Sequence, residues 1–112
     1  MSELVVDLFE ENRIWTLKLD GNVDSNTHQF MWFTNSSASL LKKLQEAQAE
    51  ALRIDLTETN SFDSQGLRLL LNAHKEFSRA KLPIILKNPN VHLSRLFKIM
   101  QFDRIFEIEF DP

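Results

Sequence analysis

The period of the hydrophobic pattern changes across one stretch, Ser61-Phe62-Asp63-Ser64-Gln65-Gly66-Leu67, and this stretch decides the fold. Before it, apolar and polar residues alternate through residues 52–57, which is typical of a strand with one face in water. After it, apolar residues return at helical spacing through residues 67–77. Asp63 and Ser64 are both good helix N-cap residues. The pattern therefore predicts a strand-to-helix corner with a serine hydroxyl at the positive end of the helix.

The composition predicts one compact domain over residues 1–112, with 43% apolar and 26% charged residues. No apolar run approaches the roughly 20 residues of a membrane span, and residues 1–4 lack the features of a secretory signal. The absence of cysteine excludes disulfides and thiolate chemistry. A net charge of −3 without a basic run argues against nucleic-acid binding. We expect a soluble cytoplasmic protein.

The element order is predicted as β-β-α-β-α-β-α-β, an α/β fold. Strands are expected at residues 4–9, 14–19, 51–56, 83–86 and 106–110. One of residues 24–27 should cap the next helix, helical spacing appears from Ser36 or Ser37, and a last helix carries Leu93 and Met100. Strands joined through helices should be parallel, so the opening hairpin makes a mixed sheet of about five strands. Alternation in the third and fifth strands places the helices mainly on one face.

The corner also carries a recognisable motif. Asp63-Ser64-Gln65-Gly66-Leu67 resembles the D-S-x-G-L motif of STAS domains, the family of bacterial anti-sigma-factor antagonists. Gly21-Asn22-Val23-Asp24 is similar to the G-x-x-D turn of that family, and residues 52–56, 88–89 and 102–106 extend the resemblance over nearly the whole chain. The segment after Asp24 looks longer than in better-known members, and the turn Ala80-Lys81-Leu82 lacks the usual glycines.

The resemblance implies a single STAS domain that works as a partner-switching phosphoprotein. Ser64 would be phosphorylated by a serine kinase that is also the anti-sigma factor, and a serine phosphatase would restore it. The unphosphorylated form would bind the kinase and displace its sigma factor. No cofactor or metal is expected. The resemblance implies a partner-binding surface made of Gly21, Asp24, Asp63, Ser64, Gln65, Gly66 and Leu67.

Physical reasoning supports a switch at Ser64 independently of the family. A phosphate adds a charge of roughly −1.5 to −2, and a helix N-terminus favours such an anion by roughly 0.3–2 kcal/mol. A docked partner would have to desolvate that charge. The alternative is that Asp63 and Ser64 only cap a helix. Gly66 has two interpretations as well: it lets the helix pack closely on the sheet, or it leaves room for a partner's backbone.

Other residues suggest weaker hypotheses. His28, His74 and His92 are scattered without accompanying ligands, so no metal site is expected, and His74 is predicted to be a partly buried core residue. The run Phe30-Met31-Trp32-Phe33 cannot face one side of a helix entirely. It predicts either core filling with one exposed ring or a contact patch for a partner or for self-association.

Two other function classes remain open. Some STAS domains are subunits of lipid-transport machines, stress-signalling assemblies or anion transporters, and this chain would then have no sigma-factor output. A small α/β enzyme is the third class. We do not expect an enzyme, because no histidine is assignable to Ser64 and neither a Gly-x-Ser-x-Gly elbow nor a glycine-rich phosphate loop occurs.

Overall fold

In a computed structural model of the chain, residues 5–23 and 37–111 are described. They form an α/β fold in which the strands are β1 (Val5–Glu11), β2 (Ile14–Val23), β3 (Ala51–Asp55), β4 (Thr59–Phe62), β5 (Ile84–Lys87) and β6 (Glu107–Glu109). The helices are α1 (Ser37–Glu46), α2 (Ser64–Arg79) and α3 (Val91–Ile99), followed by a short 3-10 helix (Phe102–Arg104). The predicted order is confirmed except for β4, which was not expected. The predicted cap among residues 24–27 lies outside the described residues.

The predicted opening hairpin is confirmed. β1 runs antiparallel to β2, and the pairing of Glu11 with Ile14 leaves a two-residue loop. Both loop residues have positive φ, 53° at Asn12 and 68° at Arg13. That conformation matches the right-handed twist of the flanking strands, which is why it closes tight hairpins. Lys81, in the turn before β5, also has a positive φ of 59°, so lysine takes there a conformation that glycine adopts more easily.

β2 extends beyond its predicted end. Residues 20–23, predicted as part of a turn, belong to the strand. The first half of β2 pairs in parallel with β3, and its end pairs in parallel with β4, with a register shift between Gly21 and Asn22. Gly21 has φ 123°, a conformation that side-chain-bearing residues rarely adopt. The glycine therefore permits an irregularity inside the strand and does not end it.

The direct passage from β3 into the helix was also predicted wrongly. The Asp55 carboxylate accepts hydrogen bonds from the backbone N–H of Thr57 (3.0 Å) and its hydroxyl (2.5 Å), which turns the chain after β3. The chain then re-enters the sheet as β4, where the buried Thr59 hydroxyl donates to the Leu19 carbonyl at 2.6 Å. The corner therefore lies beside the end of β2, and the sheet has six strands.

The sheet order is β1-β2-β3-β5-β6, with β4 on β2. Apart from the antiparallel pair of β1 and β2, every strand pair is parallel, so the carboxyl ends of β2 to β6 share one edge. Helices α2 and α3 begin at this edge. One core cluster joins the inward sheet residues Leu17, Leu52 and Leu86 to buried residues of α1, α2 and α3. The prediction that the helices lie mainly on one face is confirmed for the described helices.

Candidate functional site

The corner is built around the cap of α2. Asp63 has an extended backbone (φ −92°, ψ −177°), and its carboxylate accepts a hydrogen bond from the Gly66 N–H at 2.9 Å. Its own N–H donates to the Val23 carbonyl at 3.1 Å, and its carbonyl accepts from Leu67 N–H at 3.0 Å. Of the two candidate caps, Asp63 is therefore the N-cap, and Ser64 is the first helical residue.

Ser64 and Gln65 are exposed to solvent. The first N–H groups of a helix have no acceptor inside the helix. Within residues 5–23 and 37–111, the backbone N–H groups of Ser64 and Gln65 find no other acceptor, and the Ser64 hydroxyl has no hydrogen-bond partner. The corner therefore presents an accessible hydroxyl beside two amide donors that have no acceptor among the described residues.

Gly66 is buried, and the structure decides between its two interpretations. A Cβ atom on Gly66 would lie 2.7 Å from the Val23 carbonyl oxygen, 2.8 Å from Val23 Cγ1 and 3.1 Å from a ring carbon of Phe62. These distances are shorter than van der Waals contact, so only glycine lets the first turn of α2 approach β2 this closely. Close packing is confirmed, and no space for a partner's backbone is left on that side of Gly66.

The residues of the predicted partner-binding surface do not all face solvent. Ser64 and Gln65 are exposed and Asp63 is half-buried, whereas Gly21, Gly66 and Leu67 are buried. Asp24 lies outside the described residues. The exposed part of this surface is therefore the first turn of α2, and the buried residues shape the scaffold beneath it.

The two sequence motifs of the chain meet at this corner. The Gly21 N–H donates to the Glu58 carbonyl at 3.1 Å, and the Ser61 hydroxyl donates to the Asn22 side-chain oxygen at 2.9 Å. Asn22 was not singled out as a site residue. No sequence signal could have identified its contact, because that contact depends on the unexpected pairing of β2 with β4.

The neighbouring helix start is held by asparagines. The Asn90 side chain accepts from Leu93 N–H at 2.8 Å and donates to the Thr59 carbonyl at 3.2 Å. The Asn88 side chain donates to the Asp111 carboxylate, and the Asp111 N–H donates back, both at 2.8 Å. The hydrogen bond from Asn88, together with the Lys87 charge, lowers the pKa of the Asp111 carboxyl below its usual value of 3.8.

The remaining sequence hypotheses have mixed outcomes. His74 is half-buried, with its ring centroid 5.0 Å from that of Phe106, so its prediction as a partly buried core residue is confirmed. Residues 5–23 and 37–111 contain no group of three or more residues placed to hold a metal, and no helix among them is long and apolar enough to cross a membrane. His28 and the run Phe30-Met31-Trp32-Phe33 lie outside the described residues.

A cleft of about 300 Å³ lies far from Ser64. Its walls include Ser78 near the end of α2, Lys81 in the turn that follows, and Ile84 and Glu107 at the starts of β5 and β6. It therefore opens at the amino ends of the parallel strands, whereas Ser64 lies at their carboxyl ends.

Residues 6–111 match the family model of the STAS domain. The chain belongs to the STAS domain family. This STAS domain is 35% identical, over 69 residues, to an anti-sigma-B factor antagonist from Listeria monocytogenes. The match covers 62% of the chain and 60% of the relative, so it spans less than two thirds of either protein.

Solved structures share the fold of this STAS domain. A candidate anti-sigma factor antagonist from Thermotoga maritima superposes with a TM-score of 0.75 at 17% identity, covering 96% of this chain and 86% of that one. The Bacillus cell fate determinant SpoIIAA in its phosphorylated form gives a TM-score of 0.70 at 16% identity, covering 93% and 90%. At such low identity the likeness concerns the fold, and it confirms the STAS architecture expected from the sequence.

Proposed function

We propose that this STAS domain is an anti-sigma-factor antagonist that switches partners by phosphorylation of Ser64. The unphosphorylated protein binds a serine kinase that is also an anti-sigma factor, and phosphorylation releases it. The observation that carries the proposal is the exposed Ser64 hydroxyl at the first position of α2, on a corner that is otherwise firmly held. Family membership and the name of the Listeria relative support it.

In the proposed reaction the domain is a substrate and not a catalyst. The Ser64 oxygen attacks the γ-phosphorus of ATP, and the bond from that phosphorus to the β–γ bridging oxygen breaks. ADP leaves and the hydroxyl proton passes to the kinase. A serine phosphatase then directs water onto the phosphorus, which restores the hydroxyl and releases inorganic phosphate.

The scaffold beneath Ser64 favours a switch that acts without refolding. The Asp63 cap, the contact of Gly66 with Val23 and the pairing of β2 with β4 fix the corner in place. The unused amides of Ser64 and Gln65 and the helix dipole favour a phosphate there. The partner instead meets a charge of roughly −1.5 to −2 that it must desolvate. If phosphorylation and partner binding are coupled by roughly 3 kcal/mol, the phosphate weakens the affinity for the partner more than a hundredfold.

The proposed contact surface follows from exposure. Ser64 and Gln65 touch the partner directly, and Asp63 lies at the margin because it is half-buried. Gly21, Gly66 and Leu67 act from below by holding the first turn of α2 in place. Asp24, which lies outside the described residues, stays part of the proposed surface because of the resemblance to the family's G-x-x-D turn alone.

Phosphorylation of the domain tests the proposal. The protein, Ser64→Ala and Ser61→Ala are each incubated with ATP and an extract of the source cells, and phosphate is located by mass spectrometry. Ser61→Ala is the matched control, because Ser61 is half-buried and bonded to Asn22. We expect phosphate on Ser64 in the protein and in Ser61→Ala, and none in Ser64→Ala. Phosphate at another residue, or none at all, would contradict the proposal.

A further inference from the structure

The outward face of α2 carries three cations, the first of them one turn after Ser64. The buried side of the helix consists of Gly66, Leu67, Leu70, Ala73 and Phe77. On the opposite side, Arg68, Lys75 and Arg79 are exposed, and none of them forms an ion pair with a described residue. The one acidic residue of α2, Glu76, is half-buried.

Arg68 lies on the same helix face as Ser64. Four residues advance an α-helix by about 400°, so Arg68 is about 40° round from Ser64 and one turn further along. Side chains four residues apart are neighbours, with Cβ atoms about 6 Å apart. Helical side chains also tilt towards the N-terminus, and this direction brings a side chain as long as that of Arg68 within reach of Ser64.

The chemistry of the two side chains is complementary once Ser64 carries a phosphate. A guanidinium group binds phosphate through two parallel N–H···O bonds, and such charge-assisted bonds are stronger than neutral ones. Lys75 lies about 16 Å from Ser64 along the helix at about 1.5 Å per residue, beyond the screening length of about 8 Å at physiological salt. The adjacent carboxylate, Asp63, opposes the phosphate, but its Oδ1 is already bonded to the Gly66 amide.

We propose that Arg68 binds the phosphate of phosphorylated Ser64, forming an intramolecular clamp on the outward face of α2. The inference rests on the proposed function and deepens it. Before phosphorylation Arg68 is an exposed cation that is available to a carboxylate of the partner. After phosphorylation it is occupied by the phosphate, so one modification both adds an anion to the surface and withdraws a cation from it. The partner's surface opposite Arg68 is then acidic.

Phosphoserine installed at position 64 by genetic encoding tests the clamp without any kinase. The second pKa of the phosphate, ordinarily about 6, is measured by phosphorus NMR titration in the protein, Arg68→Gln, Arg68→Lys and Lys75→Gln. The interaction of an ion pair on a helix surface, up to about 0.5 kcal/mol, corresponds to a pKa shift of roughly 0.4 unit. We expect Arg68→Gln to raise the phosphate pKa by about that amount, Arg68→Lys to raise it less, and Lys75→Gln to change it by less than about 0.1 unit.

The control variant makes the test decisive. Arg68→Gln and Lys75→Gln remove the same charge, so an effect of net charge alone would move both titrations alike. Arg68→Lys keeps the charge beside Ser64 and loses only the planar fork of the guanidinium, so it separates a bidentate contact from the proximity of a charge. Equal shifts in the two variants, or no shift in Arg68→Gln, would overturn the clamp. That outcome leaves the proposed function intact. The proposed function fails separately if Arg68-containing protein binds its kinase equally well with serine and with phosphoserine at position 64.

Discussion

Two helices begin side by side at the carboxyl edge of the sheet, and their first turns are used differently. Both have a side-chain cap: Asp63 accepts from the third N–H of α2, and Asn90 accepts from the third N–H of α3, at 2.9 Å and 2.8 Å. At the first helical position, however, α2 has Ser64 and α3 has Val91. Both residues are exposed. The capping geometry is shared, whereas the chemistry presented to solvent is not.

The surroundings of the two helix starts differ as well. At α3 the polar side chains are bonded within the protein: Asn90 to the Thr59 carbonyl, Asn88 to Asp111, and the Ser94 hydroxyl to the Pro89 carbonyl. At α2 the hydroxyl of Ser64 and the amides of Ser64 and Gln65 have no acceptor or donor in the described part of the chain. Unused hydrogen-bonding capacity, and not the presence of a capped helix, therefore distinguishes the candidate site from its neighbour.

The largest expected effect on stability comes from the third position of α2. Gly66→Ala places a Cβ atom 2.7 Å from the Val23 carbonyl oxygen. Overpacking costs about 1–3 kcal/mol and outweighs the gain of up to about 1 kcal/mol in helix propensity. We expect a loss of about 2 kcal/mol in the free energy of unfolding, measured by urea denaturation. The exposed control Gln65→Ala should stay within about 0.5 kcal/mol, and an equally stable Gly66→Ala would show that the close packing is unimportant.

The next prediction compares how substitutions at the first residue of α2 and at the first residue of α3 change the affinity for the kinase. Ser64→Glu and Val91→Glu each add one carboxylate at the start of a helix on the same edge. If α2 alone contacts the kinase, Ser64→Glu weakens binding about tenfold, or about 1.4 kcal/mol. Val91→Glu should leave the affinity nearly unchanged, and Ser64→Ala should bind like the unmodified protein. Calorimetric titration measures all three, and equal weakening by both glutamates would place the partner across both helix starts.

Removal of the two caps compares how strongly each helix start is held. Asp63→Ala should lower the free energy of unfolding by about 1 kcal/mol, the usual cost of losing an N-cap. Asn90→Ala should cost up to about 2 kcal/mol, because the Thr59 carbonyl also loses its side-chain donor. Urea denaturation of both variants gives the two losses. A loss below about 0.5 kcal/mol in either variant would contradict the view that its helix start depends on the side-chain cap.

The smallest effect concerns pH and Asp111, whose carboxylate accepts a hydrogen bond from Asn88. Because the folded-state pKa of Asp111 is lowered from 3.8, its stabilising contribution is present above that value and lost as pH falls below it. We expect Asp111→Asn to lower the urea midpoint at about pH 6 and to have little effect near pH 2. In an Asn88→Gly background, which keeps the positive φ but removes the side chain, this pH-dependent difference should shrink. If the effect of Asp111→Asn on the urea midpoint depends on pH as strongly in this background as in the unmodified protein, the lowered pKa is due to Lys87 and not to Asn88.

The sequence predicted the features that depend on local patterns. The hairpin, the order of the helices, their common face and the start of α2 beside Asp63 all follow from periodicity and capping residues. The extension of β2 and the presence of β4 did not, because Asp20 and Gly21 are turn formers and only tertiary contacts keep them in a strand. The Thr59 hydroxyl bond to the Leu19 carbonyl is one such contact.

The exposure of Ser64 was predicted, whereas the packing of its neighbours was predicted only in part. The motif around Ser64 identified the exposed hydroxyl correctly as a surface group, since a helix N-terminus at a sheet edge faces solvent. The helical spacing indicated that Leu67 lies on the apolar face of the helix, whereas close packing was only one of two interpretations of Gly66. The atoms that bury Gly66 belong to Val23, far away in the sequence, so no local pattern could distinguish packing from partner contact.

The affinity of the phosphorylated protein for its kinase tests the central claim most directly. The kinase retained by Ser64→Ala is purified, and its binding to protein carrying either serine or genetically encoded phosphoserine at position 64 is measured by calorimetry. We predict that phosphoserine weakens binding more than about a hundredfold, while the urea midpoint of the domain stays nearly unchanged. Equal affinity of the two forms, or weaker binding that arises from an unfolded phosphorylated domain, would contradict a surface switch at Ser64.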